Sequence, residues 1–194
     1  MKETSLVEVK PIYVTAQLPI FAFDLSTIAD RLSLARQAID ELRITHPEST
    51  PSNVKSVYMS PWKSHRLNEK FIPLCESVTA IAREVSKKTL GADLQALNMD
   101  LLVTDCWGII YEQADYTAPH NHFPAEFGCA IYLEADENCA PIVFAKSMVY
   151  QPKPNTMVLF PGILEHEVPA NAGRRIVVSM NLHKTALFEG ILGK

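Results

Sequence analysis

Two periods of apolar residues divide the chain. Between residues 24 and 88 apolar positions recur at spacings of three and four: Ile28, Leu32, Ala35, Ile39 and Leu42, then Phe71, Leu74, Val78, Ile81 and Val85. Such spacing lays one stripe along a helix. The first helix is predicted to start at a cap from Asp24 or Ser26. It ends at His46-Pro47, because the residue before a proline is pushed out of the helical region. The second is predicted over about Asn68 to Lys88. Pro73 lies in its first turn, where a missing donor costs little, and Gly91 suits its C-terminal stop. Val7 to Val14 reads as a short extended start, and Glu48 to Lys55 as a polar loop.

From Asn98 the period changes to two. Leu101, Val103, Trp107 and Ile109 alternate with residues of another face and predict a long strand. Further strands are predicted over Phe127 to Leu133, Ile142 to Ala145, Thr156 to Phe160 and Arg175 to Leu182, punctuated by Pro152, Pro154, Pro161, Pro169 and Asn171-Ala172-Gly173. Helices followed by short antiparallel strands predict an α+β protein whose β-part curls into a barrel or sandwich. In the last strand Ile176, Val178, Met180 and Leu182 share an apolar face, which should pack on the helical layer. Arg175, Val177, Ser179, Asn181 and His183 share the other. A buried arginine is rarely unpaired, so Arg175 should meet a carboxylate from the protein or from a ligand. Arg174 should then point outward.

Composition narrows the class without naming it. A chain of 194 residues closes one substantial core and is short for two independent domains. We therefore expect a single domain over 1–194, with a helical support region over about 1–95 and a β-core over about 96–184. A net charge of −4 without a basic stripe gives no reason to expect nucleic acid. No apolar run approaches the ~20 residues of a membrane span. Met1 to Ser5 lacks the apolar segment of a secretory signal, so a reducing cytoplasm is the expected location. Cys75, Cys106, Cys129 and Cys139 have no paired spacing and read as reduced core residues.

The candidate chemistry is concentrated in His120-Asn121-His122, His166 and Arg175. Residues two apart in a strand point to the same face, so His120 and His122 can offer two imidazoles to one point. His166 follows the apolar run Met157 to Phe160. Three nitrogen ligands on a sheet, with a cation nearby to hold an acid, outline an iron site with open coordination positions. Asp105 and Asp115 are candidate carboxylates without the spacing of ligands. Trp107 reads as core, His183 as flanking or surface, and His46 and His65 as structural or solvent-exposed.

Trp107 to Asn181 resembles the double-stranded β-helix (jelly-roll) core of the iron(II)/2-oxoglutarate-dependent oxygenases, especially their small bacterial and phage branch with an His-x-His metal motif. The likeness runs in order through a tryptophan-bearing strand, His120-Asn121-His122-Phe123-Pro124, Ile131-Tyr132-Leu133, Pro154 through Phe160-Pro161 to His166-Glu167-Val168-Pro169, and Arg175 to Asn181. Trp62 and Phe71 extend it upstream. The resemblance implies His120 and His166 as iron ligands and Arg175 as a bidentate clamp on the far carboxylate of 2-oxoglutarate. Tyr132 and Ser179 would add hydrogen bonds to that co-substrate. The wider superfamily commonly has Asp or Glu where His122 stands, so either the triad is three histidines or His122 flanks the iron. The serine often found two residues after the arginine is Val177 here, which makes Ser179 the replacement. The implied reaction consumes dioxygen, releases succinate and carbon dioxide, and hydroxylates a small-molecule or side-chain substrate; the cofactor is Fe(II) and the co-substrate 2-oxoglutarate.

Two other readings predict different outcomes. A cupin-type metalloenzyme would use His120, His122, Glu126 and His166 and need no buried arginine, though Ala114 and Leu133 replace the glycines that frame that motif. A noncatalytic metal-binding barrel would keep its metal without decarboxylating 2-oxoglutarate. Loops Ala135 to Ala140 and Ser147 to Lys153 are expected to frame the mouth. A homodimer is the association to expect if one forms.

Overall fold

The computed structural model describes residue 12 and residues 14–187. The predicted extended start around Val7 to Val14 lies largely outside them; Ile12 and Val14 have no regular structure. Helices α1 (Ala29–Thr45) and α3 (Ile72–Lys88) flank a one-turn α2 (Ser64–Leu67). Asp24 Oδ1 accepts from both the backbone N–H (2.8 Å) and the hydroxyl (2.5 Å) of Ser26, starting a 3-10 turn that leads into α1. Asn68 does the same for Lys70 N–H at the 3-10 turn before α3. The predicted Asp24 cap and Asn68 at the predicted start of the second helix therefore both act one turn before the α-helix proper, satisfying donors that the helix start leaves open.

Eleven strands follow the chain: β1 Phe21–Asp24, β2 Val54–Lys55, β3 Tyr58–Met59, β4 Met99–Tyr111, β5 Tyr116–His120, β6 Phe127–Ala135, β7 Ile142–Phe144, β8 Met148–Tyr150, β9 Thr156–Pro161, β10 His166–Val168 and β11 Arg175–Ala186. They form a six-stranded sheet, β1-β9-β6-β11-β4-β3, and a five-stranded sheet, β2-β5-β10-β7-β8, antiparallel throughout. The fold is α+β with a jelly-roll core. Strands β1, β2 and β3 come from the first 95 residues, so that region contributes sheet edges as well as helices. These pieces have two to four residues, too few for alternation to stand out.

The six-stranded sheet has two unlike faces. Ile176, Val178, Met180 and Leu182 of β11 and Phe127, Cys129 and Ile131 of β6 pack with Leu32, Ala35, Ile39 and Leu42 of α1 and Leu74, Val78 and Val85 of α3. A fully buried apolar side chain of this kind contributes about 1.5–3 kcal/mol, so this layer carries most of the stability. At Gly108 of β4 a Cβ would collide with the Ile39 side chain, so the glycine lets α1 settle close onto the sheet. On the other face Trp107, Ile109, Tyr111, Ala130, Tyr132, Val158, Phe160 and Val177 pack toward Ile142 and Phe144 of the second sheet.

Strand β4 corrects one expected grouping. Leu101 and Val103 belong to the helix-facing core, but Trp107 and Ile109 face the second sheet. The pairing with β11 slips between Asn181 opposite Asp105 and Leu182 opposite Val103, leaving Thr104 as an extra residue. Because side chains alternate with period two, one bulged residue exchanges the faces of everything beyond it.

Candidate metal and carboxylate site

A cavity of about 390 Å³ lies between the two sheets, and every site residue expected from the sequence lines it: His120, His122, His166, Arg175, Tyr132 and Ser179. The three histidines converge, with one nitrogen from each lying within 4.8 Å of the others. His120 ends β5 and is the cross-strand partner of His166 in β10, with ring centres 4.3 Å apart. His122 reaches them differently from the expected strand pleat. It lies beyond the end of β5 in a turn, where its N–H donates to Gly162 O (2.7 Å) and its carbonyl accepts from Ala125 N–H (2.8 Å). Asn121 Oδ1 accepts from Phe123 N–H at 3.1 Å, an Asx turn that fixes the bend. Two glycines make room: a Cβ on Gly162 would overlap the Ala125 carbonyl, and one on Gly128 would lie 2.9 Å from His122 Cδ2 and 2.7 Å from the Phe160 ring.

Tautomers follow from the hydrogen bonds. His120 Nδ1 lies 2.9 Å from Ala118 O and His166 Nδ1 lies 3.0 Å from Leu164 O. A carbonyl only accepts, so both Nδ1 atoms carry the proton and both Nε2 atoms present lone pairs. Backbone support of this kind orients metal-binding imidazoles. His122 Nε2 lies 3.3 Å from His166 Nε2. Two nitrogens at right angles on one ion, each about 2.1 Å away, would be about 3.0 Å apart. Burial lowers all three pKa values, partly offset by hydrogen bonds; the charge of His120 adds to the lowering at His122, to about 4, and at His166, to about 3. The rings are thus neutral near pH 7, the form a metal requires. The donor set fits a borderline metal ion, and iron is among those it suits.

Arg175 opens β11 at one end of the cavity, almost wholly buried. Its Nη1 donates to Ala140 O (2.8 Å), its guanidinium lies 4.3 Å from the Tyr111 ring centre, and its Nε has no partner. Among the described residues no carboxylate pairs with it, whereas Arg174 turns outward to Glu112 (3.1 Å) and Glu134 (2.7 Å). A buried guanidinium left with unmet donors is costly unless a ligand completes it. Tyr132, buried near Arg175, has its pKa pushed well up, so its hydroxyl stays a donor.

Other candidates separate cleanly. Glu126 is held by Lys184 (2.7 Å) and is not among the converging ligands, which removes the cupin ligand set. Asp115 accepts from Val57 and Glu112 N–H and serves a turn. Asp105, His183 and Trp107 line the cavity, while His46 and His65 do not. The loops expected at the mouth instead close the Arg175 end: Asp136 N–H donates to Arg174 O, Gln151 donates to Cys139 O, and Ala140 O meets the guanidinium. They sit there because β11 starts where β6 ends, Arg175 pairing with Ala135. Trp62, Asn53 and Phe123 line the cavity elsewhere. Trp62 lies more than forty residues before Trp107, on which it packs, so local patterning carries no sign of it beyond its place upstream in the family resemblance.

No protein-family model matches the sequence, and no curated protein matches it. Solved structures do match. The chain is similar to a Pseudomonas putida prolyl-4-hydroxylase (TM-score 0.59, 12% identity, 84% of this chain and 91% of that one). It is also similar to a 2OG-Fe(II) oxygenase family oxidoreductase from Burkholderia pseudomallei (TM-score 0.60, 15% identity, 84% of each chain). A third is SnoN, the non-heme alpha ketoglutarate dependent epimerase from nogalamycin biosynthesis (TM-score 0.63, 13% identity, 89% and 82%). At such identities the likeness is one of fold. The chain therefore has the jelly-roll fold seen in 2-oxoglutarate/iron(II) oxygenases, and its cavity joins three convergent histidines to a buried arginine that has no carboxylate partner among the described residues.

Proposed function

We propose that this protein is an iron(II)- and 2-oxoglutarate-dependent dioxygenase that hydroxylates its substrate and releases succinate and carbon dioxide. One observation carries the reading: a buried arginine without a carboxylate partner shares a cavity with three imidazoles whose free nitrogens converge. His120, His122 and His166 would hold the iron. Arg175 would clamp the distal carboxylate of 2-oxoglutarate, its fork and unused Nε–H suiting a carboxylate better than a point charge would. Tyr132 and Ser179, which line the same cavity, would donate to that carboxylate or its neighbour.

When bound, iron and 2-oxoglutarate supply the oxidising chemistry: dioxygen is reduced, the keto acid is decarboxylated, and a substrate C–H bond is attacked. The chain's own part is positioning and exclusion. Ala118 O and Leu164 O hold the His120 and His166 rings with Nε2 inward. Phe144 and Phe160 pack against His166, their ring centres 5.6 and 4.6 Å from it, and keep water from that side. Hydroxylation is the proposed outcome; the epimerase with the same fold makes a stereochemical change the second reading, separable by product analysis. The four cysteines are free thiols, which fits the proposed cytoplasmic location.

The test is an anaerobic titration of metal-free protein with Fe(II), then 2-oxoglutarate, following the visible metal-to-ligand charge-transfer band. A band in the wild type that fades in Arg175→Ala is expected. Iron binding without a band would overturn the reading and favour a noncatalytic metal-binding barrel.

A further inference from the structure

The end of the cavity away from Arg175 carries the opposite charge. Asp105 is the only carboxylate among the lining residues and Arg175 the only lysine or arginine. They are set apart by the register of β4 and β11, Arg175 opposite Tyr111 and Asn181 opposite Asp105. Six positions of strand amount to about 20 Å. A dianion that seeks Arg175 would be repelled from the Asp105 end, and a cation would be drawn to it.

Three features make Asp105 more than a solvated surface acid. First, the Thr104 bulge turns it: with regular alternation Asp105 would follow Leu101 and Val103 into the helix-facing core, and the extra residue aims it at the cavity instead. Second, the carboxylate is braced but not neutralised. Its Oδ2 accepts from the Thr104 hydroxyl (2.9 Å) and lies 3.4 Å from Asn181 Nδ2, whereas its Oδ1 has no hydrogen bond among the described residues. No ion pair to a lysine or arginine forms at Asp105 among the described residues, although exposed Lys63 bridges to its neighbour Cys106 and His183 Nδ1 lies 2.8 Å from the same Thr104 hydroxyl. Third, it stands beside an aromatic wall. Cys106 N–H donates to Trp62 O (2.8 Å), which seats Trp62 next to Asp105, and the Trp62 and Trp107 rings meet edge-on with centres 4.7 Å apart. A carboxylate next to indoles is the chemistry that selects an organic cation, by charge and by cation–π attraction.

We propose that this end of the cavity binds a cationic nitrogen, an ammonium or guanidinium group, between the Asp105 carboxylate and the Trp62–Trp107 wall. That the cation belongs to the substrate rests on the oxygenase reading; that the pocket prefers positive charge does not.

The chain has only two tryptophans, both on this wall, so intrinsic fluorescence reports on the pocket directly. The full chain is titrated with two matched pairs, n-butylammonium against n-butanol and n-butylguanidinium against n-butylurea. Saturable fluorescence changes are expected for the cations, with affinity at least about tenfold above the neutral partners. Asp105→Asn should abolish that preference, and Trp62→Leu, at a half-exposed position, should weaken it. Equal response to charged and neutral partners, no saturable response to either cation, or a preference surviving in Asp105→Asn would each overturn the proposal. So would an Asp105→Asn variant whose iron affinity falls while its charge preference is intact, since Asp105 would then only position His122 through Asn181. The charge-transfer titration is run in parallel: a missing band with an intact preference sinks the oxygenase reading alone, and a normal band without preference sinks this one alone.

Discussion

The two faces of the six-stranded sheet are made by the same strands and differ in what they leave unsatisfied. Toward the helices, Ile176, Val178, Met180 and Leu182 are fully buried among apolar partners. Toward the cavity, Arg175 Nε, Trp107 Nε1 and Asn181 Oδ1 are buried without partners among the described residues. Native proteins pair nearly all such groups, so a cluster of exceptions marks a place kept ready for something else. One face holds the fold together and the other holds unfinished chemistry. Substitutions on the two faces should therefore separate stability from binding.

The largest effect expected is on binding. His166→Ala should lower iron affinity by more than about 100-fold, beyond the cost of losing an outer partner of a metal ligand. Its unfolding midpoint in metal-free form should stay close to wild type, because a neutral ring among other histidines is no keystone of the apolar layer. Equilibrium dialysis and chemical denaturation on one preparation check both halves. On the opposite face Met180→Ala should cost about 2–5 kcal/mol of stability and leave the iron titration unchanged. A Met180 variant that lost iron while still folded would break the division of labour.

Acid sharpens the same contrast. The His122 and His166 pKa values fall to about 4 and about 3 in the folded protein, from about 6.5 unfolded, chiefly by burial. Above pH 6.5 both states are neutral and the histidines do not affect stability. Below it the unfolded chain takes up protons first, so metal-free protein should lose stability as pH falls toward 3, by up to roughly 1.4 kcal/mol per pH unit for each histidine. His166→Gln should flatten that slope in urea melts between pH 6.5 and 4. An unchanged slope would mean that the rings are not buried as described.

A matched pair of glycines probes the faces by size alone. Gly108→Ala pushes against Ile39 on the helix side and should cost about 1–3 kcal/mol through overpacking. Gly128→Ala pushes against His122 and Phe160 on the cavity side. It should weaken iron binding about tenfold if His122 is a ligand, and leave it untouched if His122 only flanks the metal. Because Phe160 also packs against His166, a Phe160→Leu variant is read beside it, and a loss confined to Gly128→Ala points to His122 without removing the ring.

Much of this arrangement was legible in the sequence, and the misses have physical causes. Both helices could be read from their stripes, and the two faces of β11 from strict alternation with Arg175 on the polar side. Strand alternation brings His122 beside His120 by a pleat where the structure uses an Asx turn, because an His-x-His spacing looks the same either way. The swap of faces in β4 was hidden in Thr104-Asp105, two adjacent polar residues in an apolar strand, which is the trace a bulge leaves. The Trp62–Asp105 end could not be read because its parts are brought together only by tertiary packing. Sequence shows what one strand offers; it does not show which distant loop completes the wall.

The smallest effect expected is the most discriminating about the carboxylate clamp. Ser179 lies in β11 opposite Trp107 and Ala130, on the cavity face and partly buried, and Tyr132 stands with Arg175 deeper inside. If both donate to 2-oxoglutarate, Ser179→Ala and Tyr132→Phe should each raise its dissociation constant about three- to tenfold, one hydrogen bond to a charged acceptor apiece. Neither should shift iron affinity. Two groups gripping the same carboxylate share its charge, so the double variant should lose less than the product of the single losses. Additive losses would instead place the two hydroxyls on separate parts of the ligand, with Arg175 alone at its far end.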